Sequence, residues 1–499
     1  MVVFAIAKAP ACVVAMTARE FERRRNLWLA LTLVVFLAHN FWVYIIASGI
    51  LLFLAARRDP NRFALFFMLL LGLPTLEAEI RGVGPIRTLF TIDGYRLLSL
   101  TLLLPAYLYL RRQPEVERFG RSLPDKLILI HMVIFFVLKA KADGVSVTDA
   151  LRQGVFYSFI EIFLPYYVAS RSLRTLQEFR GVLTAFMVGA LVVGTIGVFE
   201  WAKGWLLYGG LDELMGTKRS LIYAGREGSI RAVVTFGLAI PFGYVMAVAT
   251  GIFLYVSRLV LTPTASFLGW LVVLAGLVAG LSRGPWVGAA VMLFVFVLTS
   301  ASALSAVAKL SAVGLLSLPM LALPVKDKLL LDYVPFIGTI QSRNIDYRWQ
   351  LLEAGAEVVM RNPWFGTFDA LSHPEMLAMR QGQGIIDVVN SYLELALERG
   401  LVGLAVFVAF FVVVIAGILR SMKSLPEKRD ERHVLGQALL ATLLGILVMI
   451  VTVSSVLIIP WIYWSLAGVG VAYARMIAVE AHDVAKSPAV PPRTASATR

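Results

Sequence analysis

Apolar residues run along this chain in long blocks broken by short charged connections, and most blocks are long enough to cross a bilayer as a helix. They fall near residues 62–76, 95–110, 124–141, 150–169, 181–199, 232–256, 266–282, 284–300, 304–323, 393–419, 434–454 and 457–477. Another stretch, 27–56, is too long for one crossing and is interrupted at His39-Asn40, which predicts a tight helical hairpin. The pattern predicts an all-α, polytopic integral membrane protein of about 12–14 transmembrane helices.

The basic residues sort these blocks by side. Arg23, Arg24 and Arg25 precede the hairpin and Arg57-Arg58 follow it, so both its ends belong in the cytoplasm. Arg111-Arg112, Arg171 with Arg174 and Arg180, Arg258, Lys309 and the Arg420–Arg432 cluster mark alternate connections as cytoplasmic too. The remaining connections face outward, and two are long, at 200–231 and 324–392. The expected layout is a cytoplasmic leader (1–26), transmembrane helices (27–323), a large periplasmic loop with short helices (324–392), further transmembrane helices (393–478) and a disordered cytoplasmic tail (479–499). The first 18 residues look like a secretory apolar core but lack a basic segment before it, which predicts a disordered or interfacial leader.

Composition agrees with the pattern: 59% of the 499 residues are hydrophobic and 16% charged, against about 25% charged in a soluble domain. The 46 Lys and Arg outnumber the 32 Asp and Glu, giving net +14. In a membrane protein that excess belongs to inward loops rather than to nucleic acid. A single cysteine, Cys12, excludes an internal disulfide, and five scattered histidines without ligand spacing, together with the lack of any D-x-D pair, argue against a metal cofactor.

Some arginines fall where the positive-inside trend expects few. Arg283, in Ser282-Arg283-Gly284-Pro285-Trp286, occupies a connection of only a few residues at the outer boundary, with Pro285 suited to a first helical turn. It is either a snorkelling arginine or an anion ligand. Loop 200–231 adds Arg219, Arg226 and Arg231, whose guanidinium forks match phosphate oxygens. In the large loop, Ile345, Trp349, Leu352, Ala356 and Val359 recur at helical spacing, predicting an amphipathic helix over 344–361 that lies on the bundle and ends before Asn362-Pro363. Arg348 flanks that stripe without a carboxylate at i±3 or i±4, so it can point back toward Arg283. Where the chain returns to the membrane, Ser391 and Glu394 fit a capping box, which leaves Asp387 and Glu398 as carboxylates able to act as a general base.

Three of these segments together resemble the O-antigen ligase and O-antigen polymerase family of bacterial envelope proteins. They are the S-R-G-x-W turn at 282–286, the R-x-x-D-Y-R-W start at 343–349 running on to Asn362-Pro363-Trp364-Phe365-Gly366, and N-S-Y-L-x-x-x-L-E-x-G-L-x-G-L at 390–404. The resemblance implies a metal-independent, inverting, C-type glycosyltransferase at the periplasmic face of the inner membrane, acting on undecaprenyl-diphosphate-linked oligosaccharide without a cofactor. It makes Arg283, with Arg343 or Arg348, the binders of the donor pyrophosphate. In the mechanism expected from the residues themselves, Arg219, Arg226 or Arg231 assists, Asn390 and Tyr392 orient sugar hydroxyls, and Asp387 or Glu398 takes the acceptor proton. Family members commonly carry His before the Asn of the third motif; here that residue is Val389, unless His373 or Asp387 takes the role. This departure, and Gln381-Gly382-Gln383-Gly384 upstream, tilt the resemblance toward exopolysaccharide polymerases and away from a ligase that joins polymer to lipid A-core. Expected partners are membrane lipid, a flippase and a chain-length regulator, with no nucleic acid. A lipid-linked glycan flippase or transporter is the rival of another class, but its charges belong near the midplane.

Overall fold

The structure is a computed structural model. It describes residues 1–82, 84, 88–217, 225–226, 229–260, 262–301, 324–325, 328–329, 342–380 and 385–486, with side chains left aside at 225–226, 229, 324–325, 328–329, 342–345 and 484–486. The crossing expected at 304–323, the Gln381–Gly384 segment, Arg219 and the tail beyond 486 lie outside the described residues.

Among those residues the fold is all-α, an integral-membrane helix bundle. Five helices are long and apolar enough to cross a membrane: Leu176–Lys203, Ala239–Leu259, Ser391–Ser424, Glu431–Met449 and the last, whose described part runs Ile458–Asp483. Val2–Val14, Phe41–Ala56, Pro263–Ala279 and Arg283–Leu298 are shorter apolar helices. Other predicted crossings are subdivided. Helix Arg62–Leu69 stops early and gives way to an antiparallel hairpin, Glu77–Arg81 with Thr88–Asp93. The runs near 95–110 and 150–169 contain π-helical turns at Ser99–Leu103, Leu151–Tyr157 and Phe159–Phe163.

The hairpin expected at 27–56 is present. Helix Ala18–Leu37 ends at the break, and Asn40 caps helix Phe41–Ala56 by accepting from Trp42 N and Val43 N. The leader is ordered: helix Val2–Val14 buries Phe4 and Ala11, and Phe4 stacks edge-on against Trp28. Of the two expectations for the leader, disorder is thus set aside, because this segment is apolar enough to pack. The final helix likewise continues to Lys486, past the expected end at 478.

Two helices give the bundle its long axis. Helix Glu431–Met449 begins beside Arg180, which pairs with Glu431, and ends at the turn before Ile458. Helix Ile458–Lys486 begins at that turn, and Arg475, about 26 Å farther along at 1.5 Å per residue, donates to Ser170 O (2.6 Å). The turn 450–457 and the Arg171–Arg475 region therefore lie at opposite ends.

Candidate functional site

The site assembles on the turn Ile450-Val451-Thr452-Val453-Ser454-Ser455. Small residues bring the Arg283 helix against the Glu431–Met449 helix. A Cβ on Gly288 would stand 2.2 Å from Met449 Cγ, and one on Gly445 would stand 2.4 Å from Met292 Cγ. At the end of this contact Gly284 abuts Thr452, whose Oγ1 would be 2.4 Å from a Cβ there. Arg283 opens helix Arg283–Leu298 as its first residue, so its position is fixed relative to the turn.

The bend before Ser282-Arg283 is strained: Leu281 has φ +41, a value an L-residue adopts at a cost. Arg231 braces that bend. Its Nε donates to Gly280 O (3.2 Å) and its Nη2 to Ser282 Oγ (2.8 Å), while Ala232 N donates to Ala279 O (3.1 Å). Arg231 was expected to assist at the phosphate; these bonds commit its guanidinium to the turn that carries Arg283.

The amphipathic helix is present as Ser342–Arg361, ending before Asn362-Pro363. Its buried face shares only Val359 with the expected stripe among the described side chains. Leu351, Val358 and Val359 are buried, whereas Trp349 is 64% and Leu352 39% exposed. The sequence carries two overlapping apolar stripes, and the one with Gly355 wins because a Cβ there would be 2.9 Å from Leu393 Cδ1, so the helix fits closely against the 391–399 segment. This rotation leaves Arg348 half-buried, its Nη1 donating to Thr452 O (3.1 Å) and its charge within reach of Asp387 and Arg283. Burial pulls the Arg348 guanidinium down from its ordinary value, Asp387 opposes that and Arg283 adds to it. It stays cationic at neutral pH.

Asp387 is fixed by the same turn, its Oδ1 accepting from Ser454 Oγ (3.0 Å), which also donates to Val388 O (2.8 Å). The expected capping box is replaced. Asn390, not Ser391, caps the helix by accepting from Tyr392 N and Leu393 N. Ser391 donates to Val453 O (2.7 Å), and its N–H to Ile450 O (2.9 Å). Glu394, released from capping, accepts from Ser455 N (3.4 Å) and lies within interaction range of Glu398, Arg399 and Asp387. Tyr392 OH donates to Leu447 O (2.9 Å). Glu398 is farther out, with 36% of its side chain exposed and Arg399 3.9 Å away.

Arg399 itself reaches His131 Nε2 (2.8 Å) and lies over the Phe135 ring. Gly400 (φ +64) then breaks the helix. Its Cβ would sit 2.3 Å from Trp364 C, and Gly366 (φ +63) is equally tight against Leu397 O, so the N-P-W-F-G and L-E-x-G motifs interlock backbone to backbone.

Arg283, Arg348 and Asp387 are thus brought together. His373 is not part of that group; it stands just before the short helix Pro374–Leu377 and faces Arg361 (3.3 Å), which pairs with Glu375. Arg343 and Arg226 are placed by their backbone alone, in helix Ser342–Arg361 and in a strand pair with Ser229–Ile230. Sequence reasoning missed Glu394 and the hydroxyl turn at Thr452, Ser454 and Ser455. The one available sign was three small hydroxyl residues clustered between two apolar runs. Among the described residues, no group of His, Cys, Asp and Glu has the makings of a metal site.

Guanidinium and carboxylate groups thus gather at one end of the helix bundle of an all-α membrane protein. Residues 267–408 match the family model described as O-antigen ligase, and all three motifs of the resemblance lie inside that match. The family implies a membrane glycosyltransferase-type enzyme acting on lipid-linked oligosaccharide. No curated protein matches the chain.

Proposed function

We propose that the chain is a polysaccharide polymerase that joins undecaprenyl-diphosphate-linked repeat units at the periplasmic face of the inner membrane, with inversion and without a metal. The observation that carries this reading is the convergence of Arg283 and Arg348 on the 450–455 turn, with Asp387 on the same turn. In the reaction the acceptor hydroxyl attacks the anomeric carbon of the donor glycan. The bond from that carbon to the pyrophosphate oxygen breaks, and its electron pair leaves on the pyrophosphate. Arg348 and Arg283 stabilise the charge that develops there, a role suited to fixed cations in a partly dry site. Asp387 takes the acceptor proton in preference to Glu398, which is more exposed and lies beside Arg399. Arg231 holds the turn, and Asn390 and Tyr392 hold the helix that frames the acceptor side.

Val389, standing where family members commonly carry His, favours the polymerase over ligation to lipid A-core. The test uses purified protein in detergent with undecaprenyl-diphosphate oligosaccharide, and products are sized on a gel. Elongation that Arg348→Ala abolishes supports the reading. No elongation, but transfer to added lipid A-core, establishes the ligase; neither reaction, with glycan movement in proteoliposomes, establishes the transporter.

A further inference from the structure

Helix Ser342–Arg361 spends one face on the core and keeps a second apolar face outside it. Trp349 (64% exposed), Leu352 (39%) and Met360 (72%) recur with Ala356 at helical spacing on that outer face. Polar Gln350, Glu353 and Glu357 occupy the neighbouring sector, so the stripe has a sharp polar border. The core contact through Leu351 and Val358 is complete without it.

The stripe also has a neighbour that fixes its height. Trp364 and Phe365, 65% and 56% exposed, follow the helix directly. Their segment is bound to the start of the long apolar crossing: Leu401 N donates to Pro363 O (2.7 Å) and Val402 N to Trp364 O (3.2 Å). Beyond this point Leu401, Val408 and Val412 are exposed along the crossing. Exposed apolar residues of the crossing are therefore tied by backbone to exposed Trp364 and Phe365, and tryptophan is the residue suited to the boundary of a bilayer.

We infer that the Trp349–Met360 stripe, with Trp364 and Phe365, is a membrane-docking surface that rests in the lipid headgroup layer beside the site. The polar border holds Glu353 and Glu357, and its one cation among the described side chains, Arg361, is paired with Glu357 and Glu375, so docking depends on apolar insertion and not on anionic lipid. The inference is independent of which reaction the site performs.

The full chain carrying Cys12→Ser, with a nitroxide on Trp349→Cys, Met360→Cys or Gln350→Cys, tests it in nanodiscs of phosphatidylcholine with and without phosphatidylglycerol. Collision rates with oxygen and with a water-soluble nickel chelate are compared. Expected are oxygen-favoured labels at 349 and 360 in both lipids, and a nickel-favoured label at 350. Nickel-favoured labels at all three positions overturn the inference, as do labels at 349 and 360 shielded from both reagents, the sign of a protein partner or second copy. Insertion seen only with phosphatidylglycerol overturns its apolar basis. Leu352→Cys, on the same stripe, replaces Trp349→Cys if that variant does not fold.

Discussion

Arg171 and Arg348 are both drawn away from solvent, at opposite ends of the bundle, and their surroundings divide the polar interior into two kinds. Arg171 and its partner Asp125 have no exposed side-chain surface. Arg171 donates to Asp125 and to Ser170 Oγ (2.6 Å), while Asp125 also accepts from Tyr166 OH (2.7 Å) and Gly120 N (3.1 Å). The cavity of about 600 Å³ beside it is lined by Arg24, Arg62, Arg171 and Arg174 facing Glu20, Asp59, Glu115 and Glu178, a balance of charge. Arg348, by contrast, spends one hydrogen bond on the Thr452 carbonyl and has no ion pair among the described residues. A guanidinium has five N–H donors, and in a half-buried position those left over invite an anion. The contrast teaches that burial alone does not mark a functional arginine: Arg171 is neutralised by a buried carboxylate, whereas Arg348 is held by a carbonyl and keeps its charge for a ligand.

The largest effect expected from breaking this contrast is on stability, at Arg171. Replacing one partner of a buried pair leaves the other charge uncompensated, at a cost of about 3–5 kcal/mol. Arg171→Met should therefore sharply reduce folded protein recovered from membranes and lower the unfolding midpoint in detergent. The double variant Arg171→Met/Asp125→Leu should recover most of the loss, and an undiminished defect in the double variant would show that the pair is not the cause.

At Arg348 the effect should move from stability to activity. Arg348→Ala removes one carbonyl hydrogen bond, so its unfolding midpoint should stay near that of the parent. Loss of a preorganised donor to the transition state should slow elongation roughly 10²–10³-fold. Arg348→Lys keeps the charge without the fork and should recover only part of that. An equal loss of stability in Arg348→Ala and Arg171→Met would erase the distinction between the two arginines.

Between these two lies the interlock at Gly400. With φ +64 and a backbone neighbour where a Cβ would stand, Gly400→Ala meets both conformational strain and a clash. The strain alone is about 1–3 kcal/mol. Chain melting should show that loss, and activity should fall with it, since the 362–366 and 397–402 segments carry Arg348's helix and the Glu394–Glu398 turn on one frame. A variant as stable as the parent would mean that the frame is not what fixes the site.

The sequence made the hairpin at His39-Asn40 legible because a cap residue interrupts an apolar run, and the end of the Arg348 helix legible because Asn362-Pro363 cannot continue it. Arg283 and Arg348 stood out because charge is costly at a membrane boundary. What stayed hidden depends on tertiary choice. Two apolar stripes of similar strength overlap on the Arg348 helix, and only the packing of Gly355 on Leu393 selects one. The cap at Asn390 rather than Ser391 is a shift of a single residue between two good capping side chains, and that shift is what frees Glu394. The 450–455 turn had no periodicity to read: its backbone carbonyls act through position, and its three hydroxyl residues were a sign of polarity but not of what they would hold.

The smallest expected effect sharpens the role of Arg231, whose donors are partly spent like those of Arg171 although it sits at the end of Arg348. Loss of its bonds to Gly280 O and Ser282 Oγ in Arg231→Ala removes about 1.5 kcal/mol of support for the turn, enough to slow elongation roughly tenfold at that energy. If Arg231 acts through the position of Arg283, the two changes cannot be additive, because a displaced Arg283 costs nothing once Arg283 is gone. Arg231→Ala should then have little further effect in an Arg283→Ala background, while it should add in full to Arg348→Ala, whose anchor is the separate Thr452 carbonyl. Full additivity with Arg283→Ala would instead assign Arg231 a contact of its own with the substrate, and would move it from the Arg171 side of the comparison to the Arg348 side.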